Sequence, residues 1–206
     1  LASEALGDPD LVLDEEQQTY YIGMIRGENK RLGVLVEKVL QASLTDSKSM
    51  KLYMQQVNVH DIIKEVVRNV TMQVRRSGGK IDLNIKAANP VIQADNIHLT
   101  NVIFNLIDNA IKYSPEGAQI EISSFQTDDG IELRISDNGL GIPKEFLGKV
   151  FERLFRVPTG NVHDVKGFGL GLSYVKNVVE RHNGTIYVES EPNSGSTFIM
   201  KLKFNP

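Results

Sequence analysis

Cysteine is absent from all 206 residues. Its absence excludes disulfides, thiolate metal sites and a cysteine nucleophile. Long apolar runs are missing too, and none approaches the ~20 residues needed to cross a bilayer. No charge of one sign dominates. The net charge is −3, and basic pairs such as Arg75-Arg76 are short and isolated. They read as solvated surface, and no nucleic-acid partner is expected. The chain also lacks an initiator Met and a basic leader, and opens on Leu-Ala-Ser-Glu-Ala-Leu, which reads as mid-helix. The expectation is an excised fragment, with room for a membrane anchor upstream. What is present is ordinary for a globular protein. A hydrophobic fraction of 41% against 24% charged residues supports a real core.

Two regions differ in texture. Residues 1–46 read as helical, broken at Gly7-Asp8-Pro9, where glycine and proline both disfavour a helix. A long helix is expected from about Asp14. Tyr21, Ile25, Glu28, Leu32, Leu35, Val39 and Ala42 alternate in steps of 4 and 3, a heptad seam. The seam fits either an amphipathic helix on a core or one arm of a helical hairpin that pairs with a second chain. Residues 47–56 are polar and read as a linker, and residues 57–206 carry mixed elements. Helices are expected at about 60–77, 96–113 and up to His182, with strands over Lys80–Ala87, Ile120–Phe125, Ile131–Ser136, Thr185–Glu189 and Thr197–Phe204. Helices and strands mix without strict βαβ alternation, so the expected fold class is a two-layer α/β (α+β) sandwich.

Several stretches carry possible chemistry. In Asn105-Leu-Ile-Asp-Asn109-Ala-Ile-Lys112-Tyr113, the residues Asn105, Asn109 and Lys112 share one helix face. Two carboxamides and an ammonium suit a metal-bound triphosphate, since amide oxygens are hard ligands and lysine neutralises phosphate. Taken alone, they are better explained by a plain solvated face. Asp137-Asn-Gly139-Leu-Gly141-Ile142 ends a predicted strand with a carboxylate able to accept from an exocyclic amine. Gly167-Phe168-Gly169-Leu170-Gly171-Leu172 opens a helix, where glycine amides make an anion site. It matches neither G-x-x-x-x-G-K-[ST] nor G-x-G-x-x-G. The preceding polar stretch, Val157 to Lys166, suits a lid. Phe151 and Phe155, four apart, read as core, and Arg156 follows them. Gly195-Ser-Thr197-Phe198 opens the last strand.

In this order the stretches resemble the N, G1, F, G2 and G3 elements of histidine kinase ATP domains. These domains belong to the gyrase, heat-shock-chaperone, histidine kinase and mismatch-repair superfamily. The resemblance covers about residues 57–204. It implies a mixed five-stranded sheet backed by three helices, with ATP and Mg²⁺ as cofactors. It also implies Asn109 as metal ligand with Asn105 beside it, Lys112 on the phosphates and Tyr113 against the nucleotide. Asp137 would bond the adenine amine, with Gly139, Gly141 and Ile142 shaping the purine pocket. Lys166, Gly167, Phe168, Gly169, Leu170, Gly171 and Leu172 would wrap the triphosphate. Arg156 and Thr197 complete the set, with Asn105, Lys112 and Arg156 assigned to catalysis.

Ile25-x-x-Glu28-x-x-Arg31-Leu32-x-x-Leu35 through Val39-Leu40 and Ser43 is similar to the second helix of the family's dimerisation hairpin. The implied whole is a cytoplasmic fragment of an inner-membrane sensor kinase. It would form a homodimer through the hairpin and relay phosphate to a response-regulator receiver domain. The chain departs from the pattern in its histidines. None of His60, His98, His163 and His182 is followed by an acidic residue and proline, as the family's phosphoacceptor is. Hydrolysing relatives place a general-base Glu where this chain has Asn105, which favours transfer to an imidazole over hydrolysis. A nucleotide-dependent switch without transfer is the other reading.

Overall fold

The computed structural model describes residues 11, 13–29, 50–158 and 169–205. The chain divides into two units, Leu1–Met50 and Lys51–Pro206, each taken by itself. In the first, residues 15–29 form a helix, α1. Asp14 Oδ1 accepts from Gln17 N at 2.7 Å while Gln17 Oε1 accepts from Asp14 N at 3.2 Å. Such a reciprocal pair satisfies amides that a helix start leaves open, and it explains why the helix begins where expected. Tyr21, Ile25 and Glu28 lie on α1. The rest of the seam, and the Leu1–Leu6 segment, lie outside the described residues.

The second unit contains β1 (Gln55–Asn58), α2 (Val59–Arg76), β2 (Lys80–Ile85), β3 (Val91–Ala94), α3 (Asn96–Lys112), β4 (Gln119–Gln126), β5 (Gly130–Asp137), a 3₁₀ turn (Lys144–Phe146), α4 (Gly171–Arg181), β6 (Thr185–Glu191) and β7 (Gly195–Lys203). Five strands form one sheet in the order β2-β4-β5-β7-β6. The β2/β4 pair is parallel and the others antiparallel, so the sheet is mixed. The expected five strands and three helices are all present.

One sheet face packs on the helices. Ile120, Ile122, Ile131, Leu133, Ile135, Phe198, Met200 and Leu202 alternate along their strands and are buried. Opposite them stand Ile63, Val66 and Val70 of α2, Leu99, Val102, Ile103 and Leu106 of α3, and Val175, Val178 and Val179 of α4. Each helix shows an apolar stripe at spacings of three and four. Asn58 caps α2 through a 2.9 Å bond from His60 N, and Asp95 caps α3 through a 2.9 Å bond from His98 N.

A second sheet of two strands, β1-β3, corrects the expectation for residues 47–56. β1 starts at Gln55, inside the span read as linker, and pairs antiparallel with β3, Val57 opposite Ile92. Each strand has four residues, too few to display an alternation.

Candidate functional site

The C-terminal half of α3, the end of β5, the start of β7 and the start of α4 meet around a cleft. Its described lining brings together seven expected residues: Asn109, Tyr113, Asp137, Gly141, Ile142, Arg156 and Leu172. The remaining wall is largely apolar and was not singled out as site: Leu140, Val150, Phe155, Val157 and Phe198, with Ser196. An apolar slot with few polar groups at its margin suits a flat heteroaromatic ring. Phe155, read as core, is therefore part of the cleft wall.

Asp137 ends β5 with one carboxylate oxygen fixed. Its Oδ1 accepts from Gly139 N at 2.8 Å and from Ser196 N at 3.3 Å. Burial pushes its carboxyl above the ordinary carboxylate range, and these two amides oppose that shift only in part. The loop after it is tied down at three points. Leu140 N donates to Tyr113 O at 2.9 Å, Asn193 N to Leu140 O at 2.7 Å, and Ile142 N to Ser190 Oγ at 2.8 Å. The glycines here answer to the chain itself. A Cβ at Gly139 would lie 2.4 Å from Tyr113 O, and one at Gly141, where φ is +67°, would lie 1.9 Å from Glu191 O. Gly141 faces the cleft as well, whereas Gly139 sits beside Asp137 and off the lining. Ser114, buried next to Gly139, has a hydroxyl with no protein partner.

On α3, Asn105 Nδ2 donates to Asn101 O at 2.8 Å, leaving Oδ1 toward α4, where it lies 2.8 Å from the Cβ position of Gly171. Asn109 stands one turn further, on the cleft wall. Lys112 is off the wall, ion-paired to Asp108 at 2.5 Å. Gly169 and Leu170 precede α4, and Gly169 O accepts from Leu154 N at 3.0 Å, tying that segment to the Phe155-Arg156 loop. Lys166, Gly167 and Phe168 lie outside the described residues, as does most of the expected lid.

Thr197 lies off the described lining of the cleft. Alternation along β7 turns Ser196 and Phe198 toward the cleft face at their ends of the residue pair, and Thr197 the other way, where its hydroxyl meets Ser136 Oγ at 2.9 Å. The sequence held the signal: Phe198, Met200 and Leu202 share one phase, and Thr197 is out of it.

The described histidines all have structural partners away from the cleft lining. His60 Nε2 meets Ser124 Oγ at 2.8 Å, and burial followed by Lys64 lowers its pKa. His98 Nδ1 meets Tyr174 Oη at 2.8 Å. His182 is buried between Asp95 N and Val178 O. His163 lies outside the described residues.

Residues 94–206 match the family model of the histidine kinase-, DNA gyrase B- and HSP90-like ATPases. The chain belongs to this ATPase family. The matched span holds every described residue assigned to the cleft, and ATP is the nucleotide such a domain binds. Among curated relatives, the sensor protein RprX of Bacteroides fragilis is 45% identical over 98% of this chain and 39% of its own length. The sensor-like histidine kinase SenX3 of Mycobacterium tuberculosis is 33% identical over 98% of this chain and 48% of its own length. This ATPase domain is thus of the histidine kinase type, and the chain spans less than half the length of these relatives. Among solved structures, the mycobacterial sensor histidine kinase MprB aligns over 75% of this chain and 99% of its own, with TM-score 0.63 and 31% identity. Histidine kinase ThkA, solved in complex with response regulator protein TrrA, aligns over 96% of this chain and 54% of its own, with TM-score 0.71 and 25% identity.

Proposed function

We propose that this chain supplies the Mg-ATP site of a sensor kinase that moves the γ-phosphate of ATP to a histidine, for relay to an aspartate of a response-regulator receiver domain. The observation that carries this reading is the cleft itself: an apolar slot with the Asp137 carboxylate and the Asn109 amide both on its wall. Asp137 Oδ1 is engaged by two amides, and Oδ2 accepts from no described protein donor, so it is the oxygen for an adenine amine.

The residues fit magnesium in a particular way. No group of three or more His, Asp or Glu able to cage a metal exists among the described residues. The donor set is the Asn109 amide with Asn105 nearby, which suits an ion that arrives on the triphosphate. Magnesium would supply charge neutralisation across the phosphates. Asn109 then holds and orients. Lys112 supports the phosphates once it exchanges its Asp108 partner. Gly169 and Gly171 present backbone at the start of α4, and Arg156 stands at the cleft's edge. In the step itself, a neutral imidazole nitrogen bonds to the γ-phosphorus, the bond to the β,γ-bridging oxygen breaks, and ADP leaves.

The amide of Asn105 cannot take a proton from water, so the bound ATP is held without rapid hydrolysis. Steady-state phosphate release by the chain, with occupancy confirmed by titration, tests this. Release indistinguishable from background is expected. Saturable turnover by the isolated chain would overturn the transfer reading in favour of an ATP hydrolase. The homodimer and the membrane-anchored sensor belong to the same proposal, supported by the sensor kinases among the relatives. No helix among the described residues is long and apolar enough to cross a membrane.

A further inference from the structure

Asp95 joins three parts of the second unit, and it contacts none of the cleft. It is 4% exposed. Its Oδ1 accepts from His98 N at 2.9 Å, capping α3. Its Oδ2 accepts from Tyr53 N at 2.8 Å, across 42 positions of chain. Its own amide donates at 2.9 Å to Nε2 of His182, whose Nδ1 donates to Val178 O at 2.7 Å near the end of α4. One residue therefore pins the start of α3, the end of α4 and the segment at Tyr53. Tyr53 stands three residues after Met50, where the chain passes from the first unit to the second. Tyr53 is 78% exposed, and its attachment here is through the backbone amide.

α3 and α4 are the two helices whose other ends reach the cleft. Asn109 and Tyr113 lie near the end of α3, and Leu172 at the start of α4. A shift of either helix along its axis moves those residues against each other, because a packed helix moves as a body rather than bending locally.

We propose that Asp95 is a positioning residue through which the connector at Tyr53 sets the relative pose of α3 and α4, and so the affinity for nucleotide. The inference rests on the nucleotide reading of the cleft. Freeing Tyr53 from Asp95 loosens α3 at its anchored end. The change reaches the cleft without touching any residue of its wall.

Three substitutions in the full chain separate this joint from a plain helix cap. Asp95→Asn keeps an acceptor for His98 N, since Asn caps as well as Asp, but offers no second acceptor to Tyr53 N. Tyr53→Pro removes the donor itself, and Tyr53→Ala removes only the exposed ring. ATP affinity is the deciding readout, because a loss of global stability alone leaves the affinity of the folded molecules unchanged. Asp95→Asn and Tyr53→Pro are expected to weaken ATP binding at least about five-fold, with Tyr53→Ala like the parent. Parental affinity in Asp95→Asn, or in Tyr53→Pro, overturns the proposal. If the parent itself binds no ATP, the nucleotide reading fails. Amide exchange over α3 in the free proteins then judges the joint: faster exchange in Asp95→Asn and Tyr53→Pro supports it, and equal exchange overturns it.

Discussion

At the scale of the residue, Asp137 is where burial and recognition oppose each other. Its carboxyl is held above the ordinary carboxylate range by burial, so between the ordinary value and the raised one the folded chain binds more protons than the unfolded chain. Stability attributable to this group therefore falls as pH rises through that window, and the ionised form carries a constant penalty above it. Binding runs the other way, since an amine donor needs the carboxylate, and ATP affinity is lost as pH falls through the raised value. Asp137→Asn keeps an oxygen for Gly139 N and Ser196 N. It is expected to lower ATP affinity about 10- to 100-fold, the span of a lost charge-assisted hydrogen bond, while leaving thermal stability at neutral pH equal or higher. Paired titrations of the parent and Asp137→Asn across pH check both points. A variant that binds ATP like the parent would remove Asp137 from the site. Gly141→Ala probes the loop below it. Positive φ and the 1.9 Å approach to Glu191 O predict a loss of more than about 2 kcal/mol in urea unfolding.

At the scale of the element, α2 and α3 are built alike and serve differently. Both bury an apolar stripe and both have a side-chain cap, but only α3 carries cleft residues. Asn58→Ala removes the bond to His60 N and is expected to cost ~1 kcal/mol of stability with ATP affinity unchanged. Ile103→Ala, in the fully buried stripe of α3, is expected to cost about 2–5 kcal/mol. Denaturant melts beside ATP titrations check the pair, and an Asn58→Ala variant with altered affinity would show that α2 reaches the site.

These elements were legible because their periods are long enough to read. α3 shows its stripe over 17 residues and is announced by Asp95, and the β4–β5 hairpin by Asp128-Asp129-Gly130. β1 and β3 were not legible, being four residues each and made by pairing rather than by local preference. The cleft's polar residues, Asn109 and Asp137, were legible only through the order of the stretches that hold them, since each alone reads as a solvated face or a turn. Its apolar wall was not legible, because Val150, Phe155 and Phe198 have the same composition as core, and only tertiary structure separates a cleft wall from a core. The side of β7 on which Thr197 stands has the same origin: a strand's residues divide between two faces, and motif position does not say which face a residue takes.

At the scale of the whole molecule, the sheet order β2-β4-β5-β7-β6 brings residues from positions 109 to 198 into one cleft, a convergence that no local pattern encodes. A ligand held by so many separate segments stabilises the fold they share. At a free ATP concentration 100 times the dissociation constant, the unit is expected to gain ~2.7 kcal/mol, read as an upward shift of its thermal midpoint. Asn109→Ala should abolish the magnesium-dependent part of that gain. The central claim is that the cleft binds Mg-ATP through Asn109, and calorimetric titration of ATP into the chain, with and without Mg²⁺ and beside Asn109→Ala, tests it most directly. The account predicts saturable binding that magnesium strengthens and the variant loses. Equal affinity in the variant would move the metal site elsewhere, and no binding in any condition would contradict the nucleotide assignment of this chain.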